Sequence, residues 1–175
     1  METRESAAAT DAARAVAIGL RVSALFLGIF FLAQSMNKLA WPGNSQLLLG
    51  RFQRWAPTAR PEVQWYLVHV ATPFAPLLAR IIPVSEFLTS MAFILGFWIP
   101  AAAVLALFMV LNFHFGTAAF YAWDFLRDGT GPPVIGGLIG LAIGGRNLPF
   151  TIQRLLSARR ERIAPAAVPA SGHRS

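Results

Sequence analysis

Long apolar runs alternate along this chain with short stretches in which arginines, aromatics, prolines and glycines collect. The first run covers about residues 15–36, broken only by Arg21, Ser23, Gln34 and Ser35, and as a helix it is long enough to cross a hydrocarbon layer ~30 Å thick. A second covers about 77–98 and a third about 100–123, divided by Gly96-Phe97-Trp98-Ile99-Pro100. Glycine at a helix C-terminus and proline in a first turn mark a tight antiparallel hairpin there instead of one over-long helix. Asp124, Arg127 and Asp128 end the third run, Gly129-Thr130-Gly131-Pro132-Pro133 is a turn, and a fourth run covers about 133–150. A water-soluble core would break such runs with polar residues at helical or strand spacing. The predicted fold class is therefore all-α, an integral membrane four-helix bundle.

The stretch between the first two runs, residues 37–76, has a different character. Lys38, Arg51, Arg54, Arg60 and Glu62 are interleaved with Trp41, Trp55, Trp65 and Tyr66, the mixture that a headgroup layer selects. It is expected to lie along the membrane surface as one or two short amphipathic helices. Asn44 or Ser45 is placed to cap the first, and Pro61 falls in the first turn of the second. Pro73, Pro76 and Pro83 make the approach to the second span irregular.

Composition agrees with a bilayer. Of the 175 residues 55% are apolar and 13% charged, about half the charged fraction of a soluble protein. The net charge of +7 is concentrated: Arg146, Arg154, Arg159, Arg160, Arg162 and Arg174 cluster at the C-terminal end, opposed there only by Glu161. That pattern suits a juxtamembrane tail over anionic lipid, and no nucleic-acid-binding module accompanies it. Eight basic residues flank the spans on the side of the termini and five on the other, which places both termini in the cytoplasm of a multi-pass protein. Residues 1–14 then form a mobile cytoplasmic arm, 15–150 the membrane domain and 151–175 a basic cytoplasmic tail. The first apolar run exceeds the core of a secretory signal and holds an arginine, so it is expected to remain as a span. The chain has no cysteine, which excludes disulfides, iron–sulfur clusters and cysteine-ligated zinc.

Ionisable groups inside the spans cost roughly 2.5 to 3.5 kcal/mol each on insertion, so each needs an account. Glu86 sits near mid-membrane in the second span and must find a cation, remain protonated or face a wet cavity. Arg21, entering from the opposite face, lies within ~10 Å of it in depth, which makes a buried Arg21–Glu86 pair feasible. Asn112 and His114 of the third span fall at similar depth, and Gln34, Asn37 and Lys38 close the first span at the outer face. Together these outline a polar cluster able to take a quinone headgroup. His114 or Asn112, with Arg21, Gln34 and Lys38, would bind its carbonyls, while Glu86 or His114 handles the proton. The opposing possibility is that the same residues only fix helix register. A haem would need a second axial histidine, and His69 and His173 lie elsewhere; no ligand cluster suits a metal. Gly136, Gly140 and Gly144, with Gly137 and Gly145 beside them, offer a face for close approach of another helix, internal or from a second protein.

Two stretches carry a family resemblance: RVSALFLGIFFLAQSMNKL, with Arg21, Gly28 and Lys38, and SEFLTSMAFILGFW, with Glu86 and Leu95-Gly96. In these the chain resembles the DoxX family, which includes the DoxD-type subunit associated with thiosulfate:quinone oxidoreductase, over roughly residues 15–150. Ser35 and Ser90 stand where such proteins usually have glycine, and the segment 37–76 is long. The resemblance implies a bacterial inner-membrane four-helix protein, often tied to quinone-linked or redox-stress complexes. Two functions follow as expectations: a membrane subunit of a quinone-linked oxidoreductase complex, or a non-enzymatic scaffold or accessory protein. Either requires a protein partner or a second copy.

Overall fold

A computed structural model describes residues 2–127 and 129–163. The chain forms α1 (Glu2–Met36), α2 (Gln46–Trp55), α3 (Pro61–Tyr66) continued by a π-helical turn (Leu67–Ala71), α4 (Ala75–Leu95), α5 (Ile99–Gly116), α6 (Pro132–Gly144) and α7 (Ile152–Ile163), with short 3₁₀ turns between some of them. No strand occurs among the described residues. Helices α1, α4 and α5 are long and apolar enough to cross a membrane. Helix α6 has 13 residues and is ~20 Å long.

The four apolar helices close into a ring in which α1 lies against α4 and α6, and α5 lies against the same two. Small residues bring them together: Ala24, Ala79, Ala103 and Ala106 are fully buried. Without a hydrophobic gain between helices in lipid, such close approach supplies the packing energy. A Cβ on Gly28 would come 2.8 Å from Ile94 Cγ1 and 3.2 Å from Phe93 Cβ, so α1 and α4 touch at their backbones there. The glycines of α6 divide. Gly137, Gly140 and Gly144 face Leu27 and Leu20 of α1, whereas Gly136 has no atom within 4 Å of where a side chain would begin. The helix approached by the glycine stripe is thus α1 of the same chain. Phe26, Leu88, Phe108 and Ile143 point outward and are exposed, as lipid-facing side chains are.

The surface segment forms a cap over the end of the bundle opposite α7. Helix α2 buries Leu48 and Phe52 beside Trp41, Val63, Leu67, Ala71 and Ala75, forming a second apolar cluster. Asn112 and Tyr66 exchange hydrogen bonds of 2.8 and 3.1 Å, and Arg60 lies 4.6 Å over the Tyr121 ring, tying the cap to α5 and to the segment after it. Pro61 opens α3, as expected, and Asn44 Oδ1 accepts from the Gln46 amide at 3.2 Å, while Ser45 contributes no side-chain cap.

Several boundaries differ from the sequence expectation. Residues 2–14, expected as an arm, are helical and continuous with α1; alanines dominate that stretch and favour helix. Pro83 lies inside α4, where it was expected to disturb the approach. The third span stops at Gly116 and not near residue 123, because Ala118 takes a left-handed φ of 56° and the chain turns into 3₁₀ geometry. Helix α6 ends at Gly144, and Asn147 and Phe150 after it also have positive φ. The hairpin between α4 and α5 is as expected: Gly96, at φ 73°, lets its own and the Phe97 amide donate to the Ala92 carbonyl, both at 2.9 Å.

Candidate functional site

On α4, Glu86, Thr89, Ser90 and Phe93 recur at three- and four-residue spacing and form the buried face that meets α1. Lys38, in the turn just after α1, reaches down onto that face. Its Nζ donates to both carboxylate oxygens of Glu86, at 2.7 and 2.9 Å, and to the backbone and side-chain oxygens of Gln34 at 3.2 and 3.3 Å. Lys38 is 6% and Glu86 8% exposed, so the pair sits almost out of contact with the surroundings. The Trp41 ring closes it from the cap side, 5.7 Å from the Lys38 ammonium and 5.0 Å from the Arg51 guanidinium. Below Glu86, the hydroxyls of Thr89 and Ser90 are buried with no hydrogen-bond partner among the described residues.

The Arg21–Glu86 pair entertained from depth alone does not form. Arg21 stands opposite the end of α4, seven residues beyond Glu86, or ~10 Å along the helix. Its Nη1 donates to the Phe93 carbonyl at 2.6 Å, Nη2 to Ile94 at 2.7 Å and Nε to Phe150 at 3.3 Å. Carbonyls in the last turn of a helix lack intrahelical partners, and a cation there also opposes the helix dipole. The planar guanidinium thus clamps α1, the end of α4 and the loop before α7 in one contact.

His114 and Asn112 are parted by helix geometry: two residues along α5 turn the side chain by ~200°. Asn112 is exposed and spent on Tyr66, whereas His114 is 2% exposed among the rings of Phe113, Phe120 and Phe125. Its Nε2 lies 3.1 Å from the Thr130 carbonyl, and its Nδ1 is buried without a hydrogen-bond partner among the described residues. A carbonyl only accepts, so Nε2 donates its proton to it, and in a neutral ring Nδ1 would then present a lone pair. Neither His114 nor Asn112 bonds the Lys38–Glu86 pair, and the single cluster outlined from sequence resolves into three separate places.

Sequence reasoning placed Lys38 at the outer face without pairing it to Glu86, read Trp41 and Tyr66 only as headgroup-layer aromatics and Ser90 only as a departure from a usual glycine, and did not single out Thr89. The available signal was Glu86 itself. A mid-membrane carboxylate needs a cation, and Lys38, at the outer end of the first span, has a flexible stem that can extend inward. No group of metal ligands is found among the described residues. His69 is exposed against the Trp65 carbonyl, and His173 lies outside the described residues.

A capped ring of four apolar helices, pinned by buried cations, defines a small all-helical integral membrane protein. The profile of the DoxX family matches residues 17–118, which take in most of α1, the cap, α4 and α5 with Arg21, Gly28, Lys38 and Glu86, and the chain belongs to that family. No curated protein and no solved structure matches it.

Proposed function

We propose that this DoxX protein is an accessory membrane subunit of a quinone-linked oxidoreductase complex, a rigid frame on which a partner carrying the redox centre assembles. One observation carries the proposal: Arg21, Lys38 and Glu86 are all spent on one another, on Gln34 or on backbone carbonyls, which leaves them holding the bundle together. The redox setting rests on the family resemblance. The chain has no cysteine, so electrons would come from a partner or a bound cofactor. The same proposal places it in a bacterial inner membrane with α7 and its arginines on the cytoplasmic side, supported by the excess of basic residues at that end.

A quinone site within the chain is the second reading, favoured by one atom. Nδ1 of His114, buried and unpartnered among the described residues, would accept a hydrogen bond from a quinol hydroxyl and take its proton.

The two readings separate on the ion pair and the histidine. Removing only the acid, Glu86→Leu, strands a buried ammonium and costs about 3–5 kcal/mol, while the double change Lys38→Met/Glu86→Leu removes both charges and is close to neutral. A frame predicts that the double variant folds, recovers the partner on purification and supports turnover of the complex. If it folds and assembles but turnover is abolished, the pair takes part in the chemistry and the frame proposal is wrong. Binding of a ubiquinone or menaquinone analogue that is weakened by His114→Ala, with the fold intact, would establish the second reading.

A further inference from the structure

At the end of the bundle where α7 starts, two grooves of about 550 and 530 Å³ adjoin and share Phe150 and Arg154. One runs between the end of α4 and the start of α7, with Arg21 at its base; the other runs between Arg14, Ala17 and Ile18 of α1 and the loop holding Asn147. Their walls are mainly apolar, their polar groups are arginines and uncharged side chains or backbone, and among the described residues no carboxylate lines either. Arg21 is occupied by three carbonyls. Arg14 and Arg154 are exposed, and among the described residues neither has an acidic partner.

Phe150 shows where this place sits relative to the bilayer. Its carbonyl is held by Arg21, its backbone has a left-handed φ of 55°, and the residue is 82% exposed. A non-glycine residue pays about 1 kcal/mol or more for that conformation, and here the clamped carbonyl maintains it. The ring stands where the apolar spans end and α7 begins, with Ile152 and Leu155 exposed beside Arg154. Apolar walls topped by guanidinium groups match the boundary between acyl chains and phosphates.

We propose that the paired grooves hold one anionic phospholipid, its phosphate between Arg14 and Arg154 and its acyl chains along Ala17, Ile18 and Leu155. A free phosphate would satisfy the arginines and leave the apolar walls uncovered, so the lipid is the occupant that uses both features. The site is independent of the Lys38–Glu86 pair and of the redox role proposed above.

Native mass spectrometry of the full chain in mild detergent tests this, with phosphatidylglycerol, phosphatidylcholine and inorganic phosphate as separate probes. The expected result is retention of one phosphatidylglycerol in preference to phosphatidylcholine. Retention falls about thirtyfold in Arg14→Gln/Arg154→Gln, the factor for two contacts of ~1 kcal/mol each, and does not change in Arg54→Gln in the cap. Arg154→Gln alone, at an exposed position, gives about a fivefold fall and guards against a folding defect in the double variant. Equal retention of the two lipids, undiminished binding by both arginine variants, or displacement of phosphatidylglycerol by millimolar inorganic phosphate would each overturn the assignment.

Discussion

Arg21 shows how much one side chain can do when depth and shape agree. Three donors of a rigid fork meet three backbone carbonyls from two distant parts of the chain. Hydrogen bonds to charged groups contribute about 1.5–3 kcal/mol each, so Arg21→Ala is expected to lower unfolding free energy by roughly 3 kcal/mol or more. Arg21→Lys retains the charge but loses the fork, and recovers only part of that. Denaturant titration in detergent micelles measures both; equal stability of wild type and Arg21→Ala would remove the clamp from the account. The sequence showed that Arg21 and Glu86 needed partners, because charge inside an apolar run is legible from residue order. It did not show which partners, since Arg21 binds main-chain oxygen, which every residue offers, and Lys38 reaches inward from a turn.

Among the elements, the hairpin around Gly96 and Pro100 and the amphipathic cap were legible, for each has a local signature: a glycine stop, a proline start, arginines alternating with tryptophans. The end of α5 was not, because apolar residues continue past it and the chain turns at a left-handed Ala118, a residue whose identity does not announce it, whereas α6 stops at Gly144 just before Gly145-Arg146-Asn147, a break the residue order does carry. The glycines also differ by position in a way their spacing hides. Gly28→Val drives a branched side chain against Phe93 and Ile94 and is expected to cost about 1–3 kcal/mol. Gly136→Ala meets nothing and gains up to about 1 kcal/mol of helix propensity. Comparing the midpoints of the two variants checks this, and the packing account fails if Gly28→Val is the more stable.

Taken whole, the ring holds two polar places between α1 and α4, Lys38–Glu86 towards the cap and Arg21 towards α7. Between them lie the buried rings of Phe31 and Phe93, with centroids 6.2 Å apart. This ordering was half legible: four apolar runs imply a bundle, but only the packed helices reveal that its charged groups are kept apart by aromatic filling. An indole stands above the ion pair and two phenyl rings lie between it and Arg21, so a proton crossing that gap would have to pass apolar side chains. The expectation is that the bundle insulates and passes no protons between its two buried charged places. Proteoliposomes bearing it should keep an imposed pH difference as long as empty vesicles do, and a faster decay would mean that the indole plug lifts.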